Sequence, residues 1–254
     1  MTLLVDIGNS RIKWAFLRGG ELGPVEAAAR RGQEDDALWA TLWAGTGTPS
    51  AVYVASVSGT STEESLKQWC SQRWALSPRF IRSNEVCCGL HNGYDRPELL
   101  GVDRWLAMIG ARQLVSGPLC VADFGTAITV DAVSADGTHL GGWIAPGLTL
   151  MAGAVQAGTR GVRAEFATTG MAHGYGHNTA AALNNGVCNA ASGMLRQAIS
   201  LLNQQTDGEV GCVVTGGDAP VLLPLLPQDC LHSPVLVLLG MAEVVRERVE
   251  GSLP

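Results

Sequence analysis

An apolar run, Leu3 to Val5, enters a polar turn at Asp6-Ile7-Gly8-Asn9-Ser10 and is followed by a second stretch of strand character through Ile12, Trp14 and Phe16. The pattern predicts a strand, a turn and a strand. It returns at Cys120 to Ala122, where Asp123, Gly125 and Thr126 fall in register with Asp6, Gly8 and Asn9 ahead of another alternating strand. Each unit leads to a second turn signal, Arg18-Gly19-Gly20 in the first and Asp136-Gly137 in the second, so each half opens as a β-meander. A repeat of this length implies an internal duplication. The expected architecture is therefore α/β and two-lobed, with lobes over 1–115 and 116–254 and a central cleft faced by both acidic turns.

Between the repeats, residues 51–59 read as a strand ending in small residues. A helix is expected from Thr62 to Ala75, with Ser/Thr ahead of Glu63 and Glu64 as its start signal, and a short strand over Arg79 to Arg82. Residues 92–114 supply a turn holding Tyr94 and Asp95, then a helix with Leu106, Ile109 and Leu114 on its apolar side. In the second half, Pro146-Gly147 turns the chain from strand to helix, and a glycine-rich irregular run from 158 to 177 is long enough to be an active-site or partner-contacting loop. Asn178-Thr179 caps an alanine-rich helix over 180–202, residues 211–215 form a buried strand ending at Gly216-Gly217, and a helix closes the chain. The Gly216-Gly217 pair is either a tight strand-to-helix turn or a flat backbone surface for an adenine or ribose.

With 46% hydrophobic and 16% charged residues among 254, the chain can bury a substantial core. A net charge of −6 without a basic stripe argues against nucleic acid or a membrane as partner. No leader-like segment or membrane-length apolar run is visible, so the expected location is cytoplasmic. Seven cysteines without CxxC spacing, two of them adjacent at Cys87-Cys88, predict neither a zinc site nor a disulfide framework. His173 and His177 lie in a glycine-rich stretch that is not expected to be helical, which weakens them as a metal pair.

The first turn carries chemistry. A carboxylate at a strand end can hold Mg²⁺ through water, glycine lets backbone approach a phosphoryl oxygen, and Lys13 can offset phosphate charge. Lys13 is one of only two lysines among seventeen Lys and Arg residues, so it is less readily dismissed as ordinary surface charge. The plain alternative is a hairpin whose turn happens to hold Asp and Asn. Gly101-Val102-Asp103-Arg104 falls at a helix start, where Asp103 is either a capping carboxylate favoured by the helix dipole or a functional one.

Taken in order, DIGNSRIKW (6–14), GVDRW (101–105), DFGTAITVD (123–131), GGWIAPGL (141–148) and Asn178-Thr179 resemble the type III pantothenate kinases, within the superfamily of sugar kinases, actin and heat-shock ATPases. The resemblance spans essentially the whole chain. It implies a duplicated actin-like ATPase (ribonuclease H-like) fold and transfer of the ATP γ-phosphoryl group to pantothenate, the first step of coenzyme A synthesis. It further implies that Asp6, Ile7, Gly8, Asn9, Ser10, Arg11, Ile12 and Lys13 hold the ATP phosphates and Mg²⁺, and that Thr126 contacts ATP. Asp103 would be the base, and Tyr94, Gly101, Val102, Asp103, Arg104 and Thr179 would meet pantothenate. Asp123 would bind a monovalent cation, K⁺ or NH₄⁺, and the protein would be a homodimer. Ser10, Val102 and Trp143 depart mildly from the usual pattern. The same family carries the label Bvg accessory factor, so a non-catalytic ATP-binding regulator is the second reading; Asp6, Asp103 and Thr126, which catalysis would need, are all present. A sugar or acetate kinase on the same fold would need an insert for which 254 residues leave little room.

Overall fold

The computed structural model describes residues 1–30, 35–43, 45–162, 166 and 174–250. In chain order the first elements are β1 (Thr2–Ile7), β2 (Arg11–Arg18), β3 (Glu21–Leu22), β4 (Glu26–Ala29), α1 (Asp35–Trp43), β5 (Ala51–Ser56), α2 (Thr60–Trp74), β6 (Arg79–Phe80), β7 (Val86–Cys87), β8 (Leu90–His91) and α3 (Val102–Arg112). They are followed by β9 (Leu119–Phe124), β10 (Ala127–Val133), β11 (His139–Pro146), α4 (Leu148–Gly158), α5 (Thr179–Gln205), β12 (Gly211–Thr215), α6 (Ala219–Leu222), β13 (Leu231–His232) and α7 (Leu236–Glu250). Two compact units result, one from Met1–Arg112 joined by the chain from Val235, the other from Gln113–Pro234. The chain crosses from the first unit to the second at Arg112/Gln113 and returns at Val235, so the C-terminal helix belongs with the first unit.

The expected duplication is visible in the sheets. In the first unit the strand order is β3-β2-β1-β5-β6, with β4 also paired to β2; in the second it is β11-β10-β9-β12-β13. The central strand of each sheet pairs antiparallel with the strand after its acidic turn, β1 with β2 and β9 with β10. On the other side it pairs parallel with a later strand, β5 or β12. The two meanders are therefore the same supersecondary unit used twice.

Alternation along β1 sends Leu3, Val5 and Ile7 to one face and Leu4 and Asp6 to the other. The first set packs with Ile12 and Trp14 against α1 and α2. At the centre of that layer Trp43 stacks on Trp39 with ring centroids 5.6 Å apart and meets Trp14 edge-on at 6.1 Å. Trp69 and Trp74 close the group around it. Trp39 Nε1 donates to Ser65 Oγ at 2.8 Å and so ties this layer to α2. Aromatic pairs of this kind add about 0.5–1.5 kcal/mol each beyond their buried area. In the second unit, Phe124, Ile128 and Val130 pack with Leu148 and Ala152 of α4 and with Val187, Ala191, Leu195 and Ala198 of α5.

On the opposite face of the first sheet, α7 lies against β1 and against α3. These two helices meet backbone to backbone. A Cβ on Gly110 would overlap the Leu236 carbonyl, and one on Gly240 would overlap the Leu106 carbonyl. No other residue fits at either position without the helices separating.

Several boundaries differ from the sequence reading. Helix α2 begins at Thr60 after Gly59, whose φ of 92° ends the preceding extended segment without a side-chain cap. Thr62, expected at the start, is instead buried and accepts a hydrogen bond from the Arg30 guanidinium. Glu63 is also buried and pairs with Arg82 at 2.5 Å. Asn178 does cap α5, its side chain accepting from the Ala181 N–H at 2.9 Å, and the helix runs on to Gln205. Cys212 on β12 and Cys230 just ahead of β13 form a disulfide, which the cysteine spacing did not predict. The expected loop over 158–177 falls mostly outside the described residues, as does His173; His177 is exposed ahead of α5.

The glycine contact between α3 and α7 gives a direct test. Gly240→Ala should cost about 1–3 kcal/mol by overpacking, and so lower the melting temperature of the chain by roughly 2–10 °C. Gly193→Ala, in α5 where an added methyl meets nothing, should be neutral or raise stability by up to about 1 kcal/mol through helix propensity. Calorimetric melting of both variants checks the pair, and equal effects would mean that the α3–α7 approach is not tight.

Candidate active site

The first acidic turn is held by its own backbone. Gly8 N–H donates to the Arg11 carbonyl at 3.0 Å, and a Cβ on Gly8 would sit 3.2 Å from that oxygen, tighter than a side chain normally tolerates. Ile7 and Ile12 are fully buried beneath the turn, Asn9 and Arg11 are exposed, and Gly8 and Ser10 lie between these extremes. Asp6 is directly opposite Lys13 in the β1–β2 register. Both are half-buried, on the face of the strand pair opposite the tryptophan layer. The turn therefore presents a carboxylate, an ammonium and a glycine-bearing backbone together.

The second turn has the same origin and a different reach. Gly125 N–H donates to the Ala127 carbonyl at 3.2 Å, and a Cβ on Gly125 would lie 3.2 Å from Asp123 Oδ1. Strand β10 begins one residue earlier in this repeat than β2 does in the first, so Asp123 stands opposite Thr129 and not opposite a cation. The pairing partner of Lys13's position is thus a hydroxyl. Thr126 is exposed on its side chain, while its carbonyl accepts from Gly147 N–H at 2.9 Å. Gly147 has no room for a Cβ against the Gly125 and Thr126 carbonyls, which explains the Pro146-Gly147 signal: it docks the start of α4 on the acidic turn. The Gly216 turn docks on the same strand end. Gly216 has φ 101° and no room for a Cβ against Phe124, and Asp218 N–H donates to the Phe124 carbonyl at 2.9 Å. Close backbone packing accounts for this glycine.

Asp131, the last residue of DFGTAITVD, is buried and bonded to buried His139 at 2.9 Å across β10 and β11. It anchors the meander, a role that its motif position did not announce. Thr179 is exposed in the first turn of α5, beside the Asn178 cap.

The remaining candidates gather at the head of α3. The Gly101 carbonyl takes the first helical hydrogen bond, from Trp105 N–H at 3.0 Å. Asp103 Oδ1 accepts from Arg104 N–H at 2.8 Å, and a Cβ on Gly101 would lie 2.7 Å from that same oxygen. Asp103 stands inside the first turn and not at the cap, with its carboxylate half-exposed. Val102 and Arg104 are buried. The Arg104 guanidinium donates to the Tyr94 hydroxyl at 2.7 Å and lies 5.6 Å from the centre of its ring. Tyr94 is in turn fixed by Asn92, whose Oδ1 accepts the Tyr94 N–H at 3.0 Å. The structure so brings Tyr94, Gly101, Asp103 and Arg104 together at the head of α3, with the Asp103 carboxylate on the Arg104 N–H and the Arg104 guanidinium on Tyr94. Thiol chemistry is not available in the cores: burial pushes Cys70 and Cys120 up to about 12 and Cys188 up to about 11, so each stays protonated.

A duplicated α/β unit whose copies each open on an acidic, glycine-bearing turn defines an ATP-dependent phosphotransferase of the actin-like class. Solved structures agree on the fold. A protein described as a 2-dehydro-3-deoxygalactonokinase from Sinorhizobium meliloti superposes with a TM-score of 0.59 at 12% identity, covering 98% of this chain and 99% of that one. One described as a Baf family transcriptional activator from Campylobacter jejuni superposes with a TM-score of 0.57 at 21% identity, covering 98% and 99%. The model of the type III pantothenate kinase family matches residues 2–200. Curated type III pantothenate kinases from Nitrosococcus oceani and Methylibium petroleiphilum are 39% and 37% identical to the chain, covering 97% and 98% of it and 94% and 100% of their own lengths. The chain belongs to the type III pantothenate kinase family, and is a kinase with an alcohol group as acceptor.

The Tyr94–Arg104 bond can be tested without substrate. Tyr94→Phe keeps the ring and removes one acceptor from a buried guanidinium, which should cost about 1–3 kcal/mol and lower the melting temperature by roughly 2–10 °C. An unchanged melting curve would show that Arg104 does not depend on this hydroxyl.

Proposed function

We propose that this chain transfers the γ-phosphoryl group of ATP to the primary hydroxyl of pantothenate, giving 4′-phosphopantothenate and ADP, with Asp103 as the base. The observation that carries the reading is the family match, which takes in the Asp6 turn, the α3 head and the Asp123 turn within residues 2–200. In the reaction the hydroxyl oxygen bonds to the γ-phosphorus as the bond to the ADP oxygen breaks, and the hydroxyl proton passes to the Asp103 carboxylate. Gly101 suits this role, because its missing side chain leaves the space beside Asp103 Oδ1 open. Arg104, steadied by Tyr94, fits the recognition of an anionic acceptor such as pantothenate.

Asp6, with its carboxylate half-exposed at a strand end, offers the hard oxygen donor that Mg²⁺ prefers, and the bare Gly8 backbone lets phosphate approach. Mg²⁺ bound there would neutralise charge on the phosphates. Lys13, opposite Asp6, adds a positive charge from the protein itself, and Arg11, Asn9 and Ser10 complete a polar rim. We assign a monovalent cation, K⁺ or NH₄⁺, to Asp123, because a half-buried carboxylate set across the strands from a threonine offers the oxygen donors that such an ion takes; Thr126 contacts ATP. The working form is a cytoplasmic homodimer in which Thr179, exposed at the start of α5, reaches pantothenate. The chain acts on small molecules and not on nucleic acid, and among the described residues no helix is long and apolar enough to cross a membrane.

Incubation of purified protein with ATP, Mg²⁺, K⁺ and pantothenate should yield phosphopantothenate; folded protein giving none would overturn the reading. Asp103→Asn should lower turnover by roughly 10²- to 10⁴-fold with little change in substrate binding, the usual range for loss of a general base. Near-normal turnover would leave Asp103 a helix-turn carboxylate only. The two acidic turns should separate under ion titration: Asp6→Asn should raise the Mg²⁺ requirement, whereas Asp123→Asn should chiefly abolish activation by K⁺. Identical responses would refute the division of roles.

A further inference from the structure

The β7–β8 hairpin turns on Cys87 and Cys88, which take no part in the site above. Cys87 Sγ lies 3.6 Å from Cys88 Sγ and 3.2 Å from Glu247 Oε2 on α7, and Cys88 Sγ lies 3.5 Å from that same oxygen. Cys88 N–H donates to the other carboxylate oxygen, Glu247 Oε1, at 3.0 Å, which holds Oε2 toward the two sulfurs. Adjacent residues in an extended strand point to opposite faces. Here Cys88 has φ 50°, a left-handed conformation uncommon outside glycine, and this brings neighbouring thiols to one side. Both cysteines are half-buried and Glu247 is exposed, so the group is not core packing and is open to solvent. Among the described residues it is the one cluster of three His, Cys, Asp or Glu side chains whose donor atoms lie within 4.8 Å of one another.

The spacing matches a coordination face. With Zn–S near about 2.3 Å and Zn–O near about 2.0–2.2 Å, a tetrahedral site sets sulfur atoms roughly 3.7 Å apart and sulfur and oxygen roughly 3.5 Å apart. The observed edges differ from these by a few tenths of an ångström, less than a side-chain adjustment. We propose that Cys87, Cys88 and Glu247 form a site for a thiophilic divalent cation of the zinc class, with water as the fourth ligand. On binding, both thiols release their protons to solvent and coordinate as thiolates. Two sulfurs make this site unlike the Asp6 turn, where only oxygen ligands suited to Mg²⁺ are offered. The bound ion joins the hairpin to α7 within the first unit. The hairpin runs directly into the segment holding Asn92 and Tyr94, so the ion steadies the approach to the α3 head as well.

The test uses the full-length protein, fully reduced, titrated with Co²⁺ as a spectroscopic probe and then with Zn²⁺. The expected result is one equivalent of cobalt with a sulfur-to-cobalt charge-transfer band and the visible bands of tetrahedral cobalt, both bleached by zinc. Cys87→Ser and Cys88→Ser should each weaken binding by more than the roughly 10- to 100-fold that loss of an outer-shell partner costs. Glu247→Gln should weaken it while keeping the charge-transfer band. Zinc should raise the melting temperature of the parent protein and not that of the Cys87→Ser/Cys88→Ser double variant, whose folding is verified by circular dichroism. Absence of the band from reduced parent protein overturns the proposal, as does a band that survives in the double variant.

Discussion

The first unit depends on two helices that touch through bare backbone. Gly110 and Gly240 leave no space for a methyl group between α3 and α7, so the crossing is fixed by main chain and not by adaptable side chains. That rigidity passes to both ends of α3. One end carries Gly101, Asp103 and Arg104, and the other leads out of the unit into β9. The carboxylate proposed as the base works only if held within a fraction of an ångström of its place, and a helix pinned along its length holds one better than a loop does. The tryptophan layer on the far face of the sheet supports the same geometry by leaving β1 and β2 little freedom to shift.

Duplication supplied two acidic turns, and one residue of difference in loop length made them unequal. In the first repeat the strand partner of the acidic residue is lysine; in the second it is threonine. A carboxylate opposite an ammonium has part of its charge balanced by the protein and suits a site that must accept a highly charged phosphate chain. A carboxylate opposite a hydroxyl meets no charge at that cross-strand position. Both turns are braced by neighbouring backbone: Val57 N–H donates to the Ile7 carbonyl and Arg30 N–H to the Ser10 carbonyl at the first, while Gly147 and Gly216 dock tightly on the second.

Much of this was legible in the sequence because it is local. A strand ending in Asp-x-Gly, an Asn cap three residues ahead of the N–H it accepts from, and a Pro-Gly turn all act within a few residues, so their signals lie side by side in the chain. The family motifs likewise located the α3 head. What was not legible depends on distant partners. Helix α1 shows Leu38, Trp39, Leu42 and Trp43 at helical spacing, but the run is short and its reason for existing is the stack of tryptophans contributed by β2 and α2. Thr62 reads as a helix start by local rules and is instead buried, because Arg30 comes to meet it. Cys212 lies on β12 and Cys230 just ahead of β13, and the parallel pairing of those strands brings them together; Cys87, Cys88 and Glu247 meet only because α7 returns to the first unit. One residue of register between the two turns is invisible until the strands are paired.

That return of α7 has a consequence for how the chain is made. The N-terminal unit is interrupted: its sheet and α3 precede the whole second unit in the chain, and the helix that packs on α3 and β1 follows it. On the ribosome the second unit, continuous from Gln113 to Pro234, can complete its core while the first still waits with one face of its sheet uncovered. The segment that closes the first unit is thus synthesised only after the whole of the second. A chain cut short near its end loses the cover of its first strand before it loses anything of the unit beside it in sequence.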